Sequence, residues 1–222
     1  MSKKAFLVIC VAVLLLGTAV TIGCAKSKEG EIPTLRIGNS WTYEFSSQDV
    51  YYTSTEEVIG EGTVDGKDCW VIKESETPAY GGIDSMTIRR DKSNLLIIQR
   101  QGSGTLMGVP FTLAETRSYL FDIPFYPLEL GNTVKAVETD KRTTTYLGQT
   151  QVEPKTTTTV YKVEQVEEIT VPAGTFKCFK IVEYDESGVK LWTGWHSDKV
   201  KMFVKEISED SGVVWELKSY SL

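Results

Sequence analysis

The sequence has a single histidine, His196, and lacks the patterns that most catalytic and metal sites require. It contains no HExxH or CxxC motif, no G-x-S-x-G nucleophile turn and no cluster with metal-ligand spacing. General base catalysis by histidine would depend on His196 alone, which lies beside Trp195 at the end of a predicted strand. We therefore expect a non-enzymatic protein with no catalytic residues, no metal and no cofactor.

An excess of positive charge is also missing. The chain has 24 Lys and Arg residues against 30 Asp and Glu residues, a formal net charge of −6. This acidic balance argues against nucleic acid as a partner and against a polybasic membrane patch. Hydrophobic residues make up 41% of the chain, which is enough for a packed core and argues against a disordered protein.

Long apolar runs are confined to the start of the chain. Lys3 and Lys4 precede an uncharged run from Ala5 to Gly23, and Cys24 follows. This arrangement predicts a signal peptide over residues 1–23. Its last residues, Thr21 to Cys24, resemble a prokaryotic lipobox, which implies cleavage before Cys24 and a diacylglycerol thioether on its sulfur. An uncleaved N-terminal anchor helix is the alternative.

Residues 24–33 are mostly small and polar and predict a lipidated tether. Either form of attachment places the folded part on the outer face of a membrane, because the chain has been exported. We expect a protein that is lipid-anchored to the cell membrane or outer membrane and faces the periplasm or the exterior. Loss of residues 1–23 removes Lys3 and Lys4 and no acid, which changes the net charge from −6 to −8.

Residues 34–222 show the alternation and turn residues of a β-domain and no sustained helical periodicity. Trp41, Tyr43 and Phe45 alternate and therefore share one face of a strand. Asp65-Gly66 and Ser187-Gly188 are hairpin turn signals. These features predict a mainly β fold, a curved antiparallel sheet that forms a half-barrel or an open barrel.

The two halves of the domain echo each other. Ile37–Trp41 resembles Leu130–Val134, and in each half a Cys-containing strand follows a glycine turn, at Cys69 and at Cys178. Two duplicated β-meander units, residues 34–120 and 130–222, would explain this, with convergent turn chemistry as the alternative. Export permits a Cys69–Cys178 disulfide, but equivalent positions in two units favour separate buried thiols.

Two prolines interrupt the apolar segment Phe121–Leu128, so this segment is not a central strand. A packed loop between the halves is the favoured interpretation, and a lid over a pocket is the alternative. Adjacent acids such as Glu56 and Glu57 point to opposite faces of a strand, and we expect them to be solvated.

The run VEEITVPAGTFKCFKIVEY, residues 166–184, is followed by Leu191-Trp192 and Trp195-His196-Ser197. These residues resemble a family of exported bacterial and archaeal β-proteins of unassigned function, which share the Val-Pro-Ala-Gly-Thr-Phe turn. That family is similar to the half-barrel of lipoprotein carriers. The resemblance implies a curved sheet that can hold acyl chains on its concave face, and it carries over no ligand-binding residue.

Aromatic side chains provide the candidates for an apolar cavity, although ordinary core packing explains them equally well. The candidate lining residues are Trp41, Tyr43, Phe45, Trp70, Phe179, Trp192 and Trp195. The sequence thus predicts a membrane-anchored cell-envelope lipoprotein whose β-domain binds a lipid or other apolar ligand, or an envelope protein. The alternative is a structural or assembly lipoprotein with a protein-binding surface and no ligand cavity.

Overall fold

The computed structural model describes residues 29–47, 50–77 and 82–222, and these form a closed antiparallel β-barrel. The predicted signal peptide, the lipobox-like residues with Cys24 and most of the predicted tether lie outside the described residues. The strands are β1 (Ser40–Ser47), β2 (Val50–Val64), β3 (Lys67–Thr77), β4 (Ile83–Asp91), β5 (Ile97–Leu106), β6 (Val109–Phe121), β7 (Thr133–Tyr146), β8 (Gln149–Val171), β9 (Gly174–Asp185), β10 (Lys190–Ser197), β11 (Met202–Ser208) and β12 (Val213–Ser221).

Each strand pairs with the next along the chain, and the prediction of a mainly β, curved antiparallel sheet is confirmed. The curvature continues until the first strand meets the last. β1 pairs with β12 from Ser40 opposite Ser221 to Ser46 opposite Val214. The sheet is therefore a complete barrel rather than half of one, and closure leaves it without the unpaired edges at which sheets associate.

Tight hairpins connect several neighbouring strands. Asp65-Gly66, Met107-Gly108 and Leu147-Gly148 all have positive φ at both central residues, between 49° and 79°. This is the backbone of a type I′ turn, whose twist matches that of the flanking strands. Asp65-Gly66 was recognisable from its sequence, whereas Met107 and Leu147 are unusual residues at such a position.

Equivalent backbone hydrogen bonds are found at the start of β1–β6 and at the start of β7–β12. Gly38 donates its N–H to the carbonyl of Val58, and Gly131 donates its N–H to the carbonyl of Val163, both at 2.8 Å. A register shift follows Val58 in β2 and Val163 in β8. The start of β1 with β2 and the start of β7 with β8 therefore share the same local geometry.

One end of the barrel is covered by the segments that precede β1 and β7, residues 29–39 and 122–132. Both strands run in the same direction in this meander, so both segments lie at the same end. Leu35 and Leu128 are almost fully buried there, and Leu128 donates its N–H to the carbonyl of Gly30 at 2.7 Å. Phe125 is also buried, so the segment Phe121–Leu128 includes a packed loop.

Cys69 on β3 and Cys178 on β9 are both buried and both free. The structure thus has two separate thiols rather than a disulfide. Burial raises the pKa of Cys69 above its usual value and raises that of Cys178 to about 12. Within the described part of the chain, no helix has the length and hydrophobicity needed to cross a membrane.

Candidate ligand site in the barrel lumen

The barrel lumen contains a partly open cavity of about 390 Å³, and every strand contributes at least one side chain to its wall. This volume lies within the range of small-molecule sites in proteins. The wall combines aromatic rings with ionisable groups. Eight charged residues line it: Glu56, Glu74, Arg90, Arg100, Arg117, Glu138, Glu183 and Glu206.

The charged residues reach the lumen because strand residues alternate between two faces. Glu74 follows buried Ile72 by two positions, and Glu183 follows buried Ile181 in the same way. Apolar packing near the covered end of the barrel thus continues along the same face into a charged layer.

The best-formed contact in this layer joins Arg90 on β4 to Glu56 on β2. Nη2 of Arg90 lies 3.1 and 3.3 Å from the two carboxylate oxygens of Glu56, and Nη1 donates to the carbonyl of Leu95 at 3.2 Å. Their side chains are only 13% and 12% exposed. Glu56 is therefore a largely buried member of an ion pair, and the expectation that it is solvated was wrong. The Nε atoms of Arg90 and Arg100 are buried without a hydrogen-bond partner.

Arg117 on β6 makes the second set of ion pairs. Its Nε contacts the carboxylate of Glu115, and its Nη1 lies 3.5 Å from Oε1 of Glu138 on β7. The guanidinium of Arg117 is therefore shared between two carboxylates.

Glu74, Glu183 and Glu206 have no cation within ion-pair distance among the described residues. Ser54 donates a hydrogen bond to Glu74 at 2.9 Å, and the indole of Trp192 donates one to Glu206 at 3.2 Å. Burial raises the pKa of Glu183 and of Glu206 to about 7 and also raises that of Glu74. The lumen therefore disfavours further negative charge.

Two of the seven aromatic candidates, Tyr43 and Trp192, line the cavity. Tyr43 donates its hydroxyl to the carbonyl of Phe203 at 3.0 Å. The structure places the other candidates away from the cavity wall: Trp41, Phe45, Trp70, Phe179 and Trp195. Trp41, for example, is fully buried in the core, and its indole donates to the carbonyl of Val200 at 2.7 Å.

His196 lies in the core and not in the cavity wall. Its ring packs edge-on against Tyr126 and Phe203, and neither ring nitrogen has a hydrogen-bond partner. Burial lowers its pKa to about 4, so the imidazole is neutral at physiological pH. Across residues 29–47, 50–77 and 82–222, no group of three or more His, Cys, Asp or Glu residues is arranged to hold a metal ion.

The fold and the site together define an up-and-down β-barrel with a charged and aromatic lumen. The model of the DUF3108-like family matches residues 121–217, which is less than half of the chain and corresponds closely to the second set of six strands. No curated protein matches the sequence.

Two solved structures are similar to the chain. A Bacteroides fragilis protein described as exported, with a YmcC-like fold, aligns with a TM-score of 0.42 at 9% identity, over 87% of this chain and 100% of that chain. A Parabacteroides distasonis protein described as a lipoprotein aligns with a TM-score of 0.36 at 12% identity, with the same coverage. Neither likeness adds to what the barrel itself shows.

Proposed function

We propose that the protein is a non-enzymatic, membrane-anchored lipoprotein of the cell envelope whose barrel lumen binds a small amphipathic ligand. The observation that carries this proposal is the cavity of about 390 Å³, whose wall combines aromatic rings with eight charged side chains. Such a volume suits a small molecule rather than a protein segment. It also argues against the alternative of a structural lipoprotein without a ligand cavity.

The wall chemistry changes the expected class of ligand. A purely apolar ligand, such as an acyl chain alone, would remove water from the Arg and Glu side chains without replacing their hydrogen bonds. Burial of unpaired polar and charged groups in this way is costly. A ligand with polar or charged groups as well as an apolar part avoids that cost, because it can bond to Arg100 or Glu206 while it packs against Trp192 and Trp215.

The proposed lipid anchor would determine which end of the barrel faces the membrane. The N–H of Gly30 bonds to the carboxylate of Asp198 at 2.9 Å, which fixes this residue at the covered end. Cys24 lies six residues earlier, a chain length of about 20 Å at most. A lipid on Cys24 would therefore hold the covered end near the membrane, with the opposite end directed away from it.

Native mass spectrometry of the detergent-extracted protein tests ligand binding. We expect a co-purifying small molecule in the wild type and its loss from Ser54→Trp, which places an indole in the cavity. Glu57→Trp adds the same side chain to the exposed face of the same strand and should retain the ligand. Circular dichroism would check that both variants fold. Failure to detect a ligand in any folded form contradicts the proposal.

Incorporation of radiolabelled palmitate tests the anchor separately. The wild type should be labelled and Cys24→Ala should not be, because the thioether requires the Cys24 sulfur. Equal labelling of the two proteins would exclude the lipoprotein assignment but leave the ligand-binding proposal intact.

Acid–base catalysis is a second candidate function. It is favoured by the pKa of about 7 for both Glu183 and Glu206, since carboxyl groups of this kind in a cavity can transfer protons near neutral pH. Against it, the described residues of the cavity wall include no His, Lys or Cys side chain. If the co-purified molecule were incubated with fresh protein and recovered in a chemically altered form, that result would favour catalysis over simple binding.

A further inference from the structure

The side of the lumen formed by β6–β10 combines carboxylates with aromatic rings. Glu183 on β9 lies opposite Tyr161 on β8 and opposite Trp192 on β10 in the strand register. Glu138 on β7 lies opposite Tyr119 on β6. Directly opposed residues place their side chains within about 5 Å of each other at Cβ. Each carboxylate is therefore flanked by at least one ring, and all five side chains line the cavity.

Negative charge exceeds positive charge on this side. Arg117 is the cation of the cavity wall here, and it already contacts both Glu115 and Glu138. Glu183 has no cation within ion-pair distance among the residues that the structure describes. An additional positive charge at this position would therefore be stabilised by the carboxylates, and an additional negative charge would be repelled.

The opposite side of the lumen is closer to balance. On β2–β5, Arg90 and Arg100 lie with Glu56 and Glu74, so two guanidinium groups face two carboxylates. Glu206 on β11 accepts a hydrogen bond from Trp192 and therefore adds to the negative charge beside the β6–β10 wall. The Nε atoms of both arginines remain without a partner and can donate to an acceptor. The lumen is thus electrically asymmetric, and a charged ligand has one favoured orientation in it.

We propose that the β6–β10 wall binds the ammonium group of the ligand, with Glu138 and Glu183 as counter-ions and Tyr119, Tyr161 and Trp192 as a partial aromatic cage. Aromatic faces attract organic cations, and they do so most strongly where water is excluded. This inference rests on the proposed function, because it assigns the chemistry of a ligand held in the same lumen. A metal ion fits less well, because the described residues provide no cluster of three metal-binding side chains.

Isothermal titration calorimetry of the full-length protein in detergent, at low salt and about pH 8, would test this assignment. Hexyltrimethylammonium, hexanol and hexanoate share one alkyl chain and differ in charge. We expect the ammonium compound to bind about tenfold more tightly than hexanol, in line with the value of a partly desolvated cation–π contact. Hexanoate should bind more weakly than hexanol.

Variants identify the groups involved. Glu183→Gln should lower the affinity for the ammonium compound about tenfold and leave that for hexanol unchanged, because it removes a charge but little volume. Tyr119→Leu should weaken ammonium binding while both carboxylates remain. Glu168→Gln, on the outer surface, is the matched control whose affinity should stay within about twofold of the wild type. Thermal unfolding would confirm that each variant folds.

The outcomes separate this inference from the proposed function. Equal affinity for the three ligands, or equal effects of Glu183→Gln and Glu168→Gln, overturns the ammonium site but leaves the lumen as a binding site. A co-purifying ligand without positive charge also overturns it. If no ligand co-purifies and none of the three compounds binds, the proposed function itself fails.

Discussion

Gly38 and Gly131 occupy equivalent backbone positions on opposite sides of the barrel. Their φ angles are +90° and +88°, and each donates its N–H to a strand carbonyl at 2.8 Å. Leu95 and Lys201 form a second equivalent pair, with φ angles of 59° and 61° in the turns that precede β5 and β11. These matched positions are what a duplication of one six-stranded unit predicts.

This equivalence predicts matched effects of substitution. Alanine at either glycine meets no atom within 4 Å, so the cost arises from the positive φ alone. We expect Gly38→Ala and Gly131→Ala each to lower the free energy of unfolding by about 1–2 kcal/mol. Urea denaturation would measure both. Gly60→Ala has the same open surroundings without a positive φ and should change stability by less than about 0.5 kcal/mol. Costs that differ widely between Gly38 and Gly131 would contradict the equivalence.

Much of the fold could be predicted from the sequence because turn chemistry and alternation are local properties. The Gly-Asn motif at residues 38–39 and 131–132 indicated a repeat, and Asp65-Gly66 indicated a hairpin. Closure of the barrel could not be predicted, because it depends on the summed twist and stagger of all the strands and on the pairing of β1 with β12.

The charged lumen was missed for a different reason. Alternation shows which residues share a face, but charged residues are usually exposed, so Glu56 was assigned to solvent. A signal was nevertheless present. Arg90 lies two residues after Ile88, and Glu206 lies two residues after Val204, so each shares a strand face with a buried apolar residue. Charges that continue the buried face of a strand indicate a polar lumen, once the sheet is known to close.

The Arg90–Glu56 pair should behave as a buried ion pair. We expect Arg90→Met to destabilise the protein by about 3 kcal/mol, because it leaves the Glu56 carboxylate buried without its partner. Glu56→Gln in the same chain should recover much of that loss, since the unpaired charge is then gone. A double-mutant cycle by urea denaturation measures the coupling.

A surface ion pair provides the control. Lys177 pairs with Glu29, with side chains 58% and 69% exposed, and Lys177→Met should lower the free energy of unfolding by less than about 0.5 kcal/mol. Purely additive effects at Arg90 and Glu56 would show that the pair is not coupled.

The two thiols should be inert in the native protein. Cys69 and Cys178 are buried, and burial raises the pKa of both, so little reactive thiolate is present at about pH 8. We expect Ellman's reagent to detect almost no thiol in the folded mature protein and two per chain after denaturation in guanidinium chloride. Detection of no thiol in the denatured, unreduced protein would show that a disulfide had formed.

The lumen carboxylates should destabilise the folded barrel at high pH. Burial raises the pKa of Glu206 to about 7, above its ordinary value of 4.5. The folded state therefore binds more protons than the unfolded state between these values. The resulting stabilisation is complete below about pH 4.5 and is lost as the pH rises through about 7. Glu206→Gln stays neutral at every pH and can still accept the hydrogen bond from Trp192.

We therefore expect Glu206→Gln to be more stable than the wild type by about 1–2 kcal/mol at pH 8, with no significant difference at pH 4. The comparison must be made between variants at each pH, because His196 acts in the opposite direction. Burial lowers the pKa of His196 to about 4, so below about pH 6.5 the unfolded state binds a proton that the folded state does not. The free energy of unfolding therefore falls as the pH drops from about 6.5 to about 4. Subtracting the wild-type curve removes that contribution. Glu168→Gln on the outer surface should show the same small difference at both pH values, and a Glu206→Gln effect that does not vary with pH would mean that folding does not raise the pKa of Glu206.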